Sequence, residues 1–409
     1  LYKKTFGKYG TIYLGDNRQI LRLFKDNTFT SCLSDPPYEI SFFFRNWDQS
    51  GISFDPKFWN LLASKLQYGA TLCAFAGTRT QHRIAVAIED SGFILKDILM
   101  WVQGMGMPKA MSISKSVDKY LGNEREVVSV EDNHNIKGGN LVINNTKNFR
   151  NKCFFDEYSS DEKNPLRIQY EHTKAKSVEG KLWEGYFSHS SLKPAYEPII
   201  FAMKENKENY IQNALKLGLS GINIDAIRNL TEGEVTGWNG NTAGGKTWND
   251  DNCGLRKEGN PTNETKGRFP TNLILQCNCV DPNAHSEDCP IKIIDDQTGI
   301  RKGGGRISKH VKERKAEVDF VQKEHLGFVG FQDTGGGSRF FSRIFYCSKA
   351  NAEREEFNNH PTLKPLGIML HLTRMVKQPN RNIIIDPFCG SGTTLLACLL
   401  TGQYFVGIE

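Results

Sequence analysis

Alternating strand and helix signals occur at both ends of this chain and not between them, and this most constrains how it can fold. Near the start, TFTSCLSDPPY reads as a short buried strand running into a loop. Residues 56–68 have helical spacing, with Phe58, Leu61, Leu62, Lys65 and Leu66 at i, i+3, i+4 and Pro56 at the start. A strand over 71–76, a helix over 79–92 stopped by Gly92, and a strand over 93–102 follow. The last fifty residues repeat the pattern: helix 363–377, buried strand 382–386, helix 391–402 ended by Gly402, and a strand from 403. Strands separated by helices imply a parallel sheet covered on both faces.

The middle reads differently. Residues 231–270 hold eight Gly and six Asn, and 131–165 are rich in Asn, Lys and Asp, so both are read as loops. Short apolar pieces, 194–204 and 271–277, lie among them, and no internal repeat is evident. The simplest arrangement is one α/β domain split between the chain ends, which meet in space around a loop-rich insertion of about two hundred residues.

Hydrophobic residues make up 38% of the 409, enough for a sizeable core. No apolar run has the length of a membrane span and the N-terminus lacks a signal-peptide stretch, so the chain is expected to be soluble and cytoplasmic. It begins without Met, as a fragment would. Ten Cys in a chain with no export signal are expected to be reduced, and Cys32, Cys73 and Cys398 sit in apolar runs. The net charge of +6 is modest, but residues 299–316 carry seven Lys/Arg against one Glu. Such a stretch either tracks phosphates or forms a solvated loop.

The strongest local signal is Asp35-Pro36-Pro37-Tyr38, directly after a strand. An aromatic amine is a poor nucleophile because its lone pair is delocalised. Two acceptors on its N–H groups favour a more pyramidal nitrogen. Asp35 offers a carboxylate, and Pro36 offers a carbonyl without a competing N–H. Pro36 and Pro37 stiffen the loop, and Tyr38 offers a flat face for an extruded base. The alternative is an ordinary Pro-Pro turn.

The second signal is Asp386-Pro387-Phe388-Cys389-Gly390-Ser391-Gly392-Thr393-Thr394, between a strand and a helix. Gly390 and Gly392 let a ligand approach the backbone, and the helix N-terminus favours a carboxylate such as that of S-adenosylmethionine. Glu409, 23 residues after Asp386 at the end of the next strand, is placed to accept from both ribose hydroxyls. A third signal, His360-Pro361-Thr362-Leu363-Lys364-Pro365, precedes a helix and is weak alone. Residues 240–247 match a nucleotide P-loop pattern but lack the strand before and the helix after it, and are read as a Gly/Asn loop. His82 is read as structural and Cys389 as a small packing residue.

Cys277, Cys279, His285 and Cys289, spaced C-x-C-x5-H-x3-C after TNLIL, form a candidate structural zinc site. The surrounding region is poor in apolar residues, and a metal cross-link would offset that shortage. The spacing is tighter than usual at its start. The alternative is a group of reduced surface thiols beside an unrelated His.

DPPY, HPTLKP and DPFCGSGTT in this order resemble the β-group DNA amino-methyltransferases, in which the catalytic half precedes the cofactor half. LSDPPYEISFF, FAGTRTQHRIAVAIEDSGF, LKPAYEPIIFA, GRFPTNLIL and GGGSRFF are similar to segments of phage and prophage adenine or cytosine-N4 methylases. The resemblance implies a Rossmann-like S-adenosylmethionine-dependent methyltransferase fold with circularly permuted motif order and a loop-rich insertion. It implies that Asp35, Pro36 and Tyr38 serve the target amine. The cofactor would be held by Asp386, Phe388, Gly390, Gly392, Thr393 and Glu409, with Asp16 of the Gly15-Asp16 pair near its adenine and Lys364 beside its methionine end. The expected parts are a catalytic half over 1–110, an insertion for target recognition and zinc over 111–336, and a cofactor half over 337–409. Relatives continue past the last residue, so the sheet is expected to lack its last strands. The implied partner is double-stranded DNA, with no restriction partner identified. The implied product is N6-methyladenine, since Asp at the first motif position leans that way; N4-methylcytosine is the alternative. RNA, protein glutamine, or a non-catalytic nucleic-acid-binding role fit the motifs less well.

Overall fold

The computed structural model describes residues 2–40, 46–103, 110–133, 168–188, 192–229, 268–277, 279, 285–287, 289–302, 334–345, 363–380 and 382–409. The P-loop look-alike at 240–247, residues 360–362, the basic stretch beyond 302 and most of the two polar loops lie outside these. The chain forms two compact units, one of Leu1–Gly106 with Pro194–Glu409 and one of Met107–Lys193. In chain order the strands are β1 (Tyr2–Phe6), β2 (Gly10–Leu14), β3 (Phe29–Ser34), β4 (Leu66–Phe75), β5 (Phe93–Val102), β6 (Glu126–Asn133), β7 (Ile168–Lys174), β8 (Tyr196–Lys204), β9 (Leu273–Cys277), β10 (Arg301–Lys302), β11 (Thr334–Gly335), β12 (Ser342–Phe345), β13 (Ile383–Asp386) and β14 (Tyr404–Ile408).

The larger unit holds a ten-stranded sheet in the order β1-β2-β14-β13-β3-β4-β8-β5-β9-β12. From β2 to β4 neighbouring strands are parallel. β8 is antiparallel to both β4 and β5, and β9 and β12 continue parallel to β5. The apolar pieces at 194–204 and 271–277, expected within an insertion over 111–336, are β8 and β9 of this sheet.

Apolar strands alternate between two covered faces. Cys32, Leu72, Ala74, Ile200 and Ile385 join one core with the helices Asn17–Leu21, Pro56–Lys65 and Gln81–Asp90. Their neighbours Leu33, Cys73, Phe75, Ile199 and Ile384 join the other, with the helices Leu366–Met375 and Thr393–Leu400. Burial on both sides is why these strands read as continuous apolar runs rather than alternating ones. The helix at 56 ends three residues before the spacing predicts. Leu66, counted in the helical stripe, instead starts β4 opposite Phe29 and is fully buried. Asp55 caps the helix start by accepting from the Lys57 N–H, with Pro56 in the first turn.

β13 and β3 are adjacent, with Ser31 opposite Ile384 and Cys32 opposite Ile385. From β13 the chain goes to β14 on one side, and from β3 to β4 on the other. Ligand crevices in open α/β sheets lie outside the carboxyl ends of strands at such a switch point. Strands more than 350 residues apart in sequence therefore present their following loops side by side.

The smaller unit pairs β6 with β7 as an antiparallel ribbon beside the helices Ile113–Tyr120 and Val178–Leu182. Its fully buried Asp118 accepts from Arg125 Nη1 at 2.8 Å and from the Ser177 and Lys176 N–H groups. Bonds from Ser177 hold this carboxyl down at about 2. Gly180 is required there, since a Cβ would lie 2.5 Å from Asp118 Oδ1. A buried charge persists only when paired and hydrogen-bonded in this way. No helix among the described residues is long and apolar enough to cross a membrane.

Candidate active site

Asp35 leaves the end of β3 and meets Lys364 and Glu197. Lys364 Nζ lies 3.0 Å from Asp35 Oδ1 and 3.2 Å from Glu197 Oε2. It also donates to the Tyr38 hydroxyl at 2.9 Å, and that hydroxyl donates to Glu197 Oε2 at 2.9 Å. Gln103 Nε2 donates to Glu197 Oε1 at 2.7 Å. The ammonium is also 5.0 Å from the ring centres of Tyr38 and Phe75.

Burial shapes the charges here. It raises the Asp35 carboxyl above its ordinary value, although Lys364 opposes the shift and Glu197 adds to it. Burial acts on Glu197 in the same direction, but Lys364, Tyr38 and Gln103 outweigh it and leave this carboxyl below its usual range. The Lys364 ammonium is favoured despite burial, because Asp35 and Glu197 both attract it. Two carboxylates against one ammonium leave the pocket negative, which suits a cation.

The Pro-Pro-Tyr loop is held from outside. Ser53 Oγ donates to the Pro37 carbonyl at 2.6 Å, and Thr80 Oγ1 to the Tyr38 carbonyl at 2.7 Å. The buried Asp48 carboxylate accepts from the N–H groups of Glu39 and Ile40. Pro36 is buried, and Pro37 and Tyr38 are half-buried. Such external bonds fix the loop without engaging the Asp35 carboxylate.

The glycine turn sits one strand away. Asp386 is buried at the end of β13 and accepts from the Phe388 N–H at 3.1 Å. Burial pushes its carboxyl up to about 7, against hydrogen bonds from Thr394 and Phe388. Gly390 and Gly392 have φ of 48° and 82°, which side chains disfavour. No side chain caps the helix that Thr393 begins, so its first N–H groups face the turn without one. Phe388 packs on Phe58 with ring centres 5.3 Å apart. Glu409, after β14, accepts from the Gly390 N–H at 2.6 Å, and its carbonyl accepts from Gly15 at 2.8 Å. Asn17 Nδ2 donates to the Pro387 carbonyl at 3.1 Å. The ends of β2, β14 and β13 thus converge, bringing Gly15-Asp16, Glu409 and the glycine turn together. The Asp16 carboxylate caps the following helix through the Arg18 N–H and pairs with the Arg18 guanidinium at 2.9 Å.

Lys364, expected beside a cofactor, is grouped by the structure with Asp35 and Tyr38. Glu197 and Gln103 were missed as functional residues. Glu197 lies inside the apolar piece PAYEPIIFAMK, and an acid in an otherwise buried strand is the signal that marks it. Cys389 is buried against Gly407, where a Cβ would come within 3.0 Å of its sulfur. Cys32, Cys73 and Cys398 are buried free thiols.

A separate cluster stands at the end of β9. The ligand-capable atoms of Cys277, Cys279, His285 and Cys289 all lie within 4.8 Å of one another, the only such group among the described residues.

A family model described as DNA methylase, of the N6/N4 type, matches residues 30–409. DNA adenine methyltransferase YhdJ of Escherichia coli (strain K12) is 38% identical over 55 residues, 13% of this chain and 18% of that protein. Type II methyltransferase M2.MboI of Moraxella bovis is 44% identical over 50 residues, 12% of this chain and 18% of that protein. The matched stretch spans about a fifth of the length of these curated relatives. Among solved structures, PvuII DNA methyltransferase (cytosine-N4-specific) aligns at 11% identity over 99% of this chain and 86% of that chain, with a TM-score of 0.43. Since the family match runs from within β3 through β14 and takes in both motif turns, this α/β chain belongs to the DNA methylase family.

Proposed function

We propose that this chain transfers the methyl group of S-adenosylmethionine to the exocyclic N6 of adenine in double-stranded DNA. The observation that carries this is the adjacency of Asp35 and Asp386 at the ends of the paired strands β3 and β13. An amine-holding loop and a cofactor turn then share one crevice.

The residues of the turn fit the cofactor. Gly390 and Gly392 leave the backbone open to close approach, the helix beginning at Thr393 presents N–H groups to a carboxylate, and Glu409 presents a carboxylate to ribose hydroxyls. Asp386, Phe388 and Asp16 complete that side, while Lys364 stands with Asp35 and Tyr38 on the acceptor side. When bound, the cofactor supplies an electrophilic sulfonium methyl group. Asp35 and the Pro36 carbonyl accept the two N–H bonds of the amine and free its lone pair. Tyr38 stacks on the base, which must leave the duplex to reach this crevice. Holding nitrogen and methyl in line contributes to the rate gain by making the transfer effectively unimolecular. Residues 1–110 then supply the amine-holding loop and Asp16, and 337–409 supply the cofactor turn and Lys364. Outside β8 and β9, the region between them reads the target through the grooves and phosphates, including the basic stretch 299–316. A cytoplasmic location follows from acting on chromosomal or incoming DNA.

The test is incubation of the full chain with unmethylated double-stranded DNA and methyl-labelled cofactor, then digestion and nucleoside mass spectrometry. Labelled N6-methyladenine is expected. N4-methylcytosine without methyladenine overturns the choice of base, and absence of label in DNA overturns the activity.

A further inference from the structure

We infer that Cys277, Cys279, His285 and Cys289 bind one structural zinc ion at the carboxyl edge of the sheet. Cys277 ends β9, and Cys289 is the residue before the helix Pro290–Thr298. The cluster joins a strand to the next helix, its first and last cysteines twelve positions apart.

The distances match a tetrahedral ion. Zn–S and Zn–N bonds of about 2.3 and 2.05 Å require S···S and S···N separations of about 3.8 and 3.6 Å. Cys277 and Cys289 sulfurs are 3.6 Å apart, and His285 Nδ1 is 3.2 Å from Cys277 Sγ and 3.6 Å from Cys289 Sγ. The Cys279 sulfur stays within 4.8 Å of all three. The sulfurs are also solvated as thiolates would be: the Cys279 N–H donates to Cys277 Sγ at 3.4 Å and the Ser286 N–H to Cys279 Sγ at 3.2 Å. The helix Pro290–Thr298 directs its positive end at this cluster, with no side-chain cap to compete.

The local packing needs such a link. Among the described residues its fully buried apolar core is Leu275, Cys277, Cys289 and Ile291, a small one. From this helix Asp295 binds the Ser338 N–H and hydroxyl, and Thr298 Oγ1 accepts from the Gly337 N–H, so the GGGSRF turn depends on the helix being fixed. The ion takes three thiolates and one imidazole, and the three thiol protons pass to solvent. Four protein ligands leave no open position, which makes the site structural rather than catalytic. β9 lies four strands from β3 along the same edge, about 19 Å at ordinary strand spacing. The ion therefore braces that edge at a distance from the methyl-transfer crevice.

The decisive measurement is elemental analysis of the full chain purified without chelator. Close to one zinc per chain is expected, and less than about a tenth of an equivalent overturns the site. Cobalt added to chelator-treated protein should give the visible bands of a tetrahedral thiolate site, saturating at one equivalent. Cys277→Ser and Cys289→Ser should each lower zinc content about tenfold. Because the wild-type metal content is read without any variant, misfolding of these leaves the test intact. A Cys277–Cys289 disulfide in protein prepared under non-reducing conditions, found by mass mapping without bound metal, overturns the inference.

Discussion

Replacing Asp35 with alanine is expected to slow methyl transfer about a thousandfold or more, while S-adenosylmethionine binds within about twofold of its wild-type affinity. Asp35 is the only charged group that the Pro-Pro-Tyr loop offers an amine. Without it, the Pro36 carbonyl remains as a single neutral acceptor and the nitrogen lone pair stays conjugated with the ring. The cofactor turn belongs to another strand and is built from Asp386, Gly390 and Glu409, none of which Asp35 positions by a hydrogen bond. Single-turnover transfer to labelled DNA, with calorimetry of cofactor binding, separates the two effects. Near-normal turnover in the variant would refute the role given to Asp35. Equal losses of transfer and cofactor affinity would instead assign Asp35 to the cofactor.

Much of this arrangement is legible before any coordinates, because local rules and packing agree. The strand at 93–102 is read with its observed limits, Asp386 ends the strand that its apolar run predicts, and Glu409 directly follows β14. Two covered faces explain why residues 72–76 and 383–385 are apolar throughout. Motif order and the split strand–helix pattern lead only to one domain formed by both chain ends; the pairing of β3 with β13 is seen in the structure, since no local signal links residues so far apart. What local patterning did not give is the placement of β8 and β9. Each is a short apolar piece within polar sequence, and only pairing along the sheet tells a core strand from a patch in an insertion. Glu197 escaped notice for the same reason. Its significance depends on Lys364, which approaches from more than 160 residues away in sequence. The four zinc-type ligands were legible because they fall within thirteen residues of sequence, where spacing alone suggests a shared site.

Lys364 and Glu197 should act on Asp35 in opposite directions, visible in the pH dependence of kcat/KM. Asp35 must be ionised to accept from the amine, so its carboxyl sets the acid limb, and burial places that limb above the ordinary aspartate range. Lys364 lowers the Asp35 value by charge and hydrogen bond, and Glu197 raises it by like charge. Lys364→Met is therefore expected to move the acid limb to higher pH and to cut activity at neutral pH on the order of a hundredfold, leaving two carboxylates without their shared counter-ion. Glu197→Gln should move the limb to lower pH. Its activity at the plateau should fall about tenfold, because Lys364 then binds Asp35 alone and competes with the amine. Lys364→Arg keeps the charge and should restore the position of the limb better than the rate, since a planar guanidinium does not fit the three-way contact with Asp35, Glu197 and Tyr38. Both residues would thus be positioning groups that tune Asp35. If they only supported the fold, the two variants would lose activity with acid limbs unmoved. Limbs displaced in the same direction would equally exclude the opposed action that the geometry around Lys364 implies.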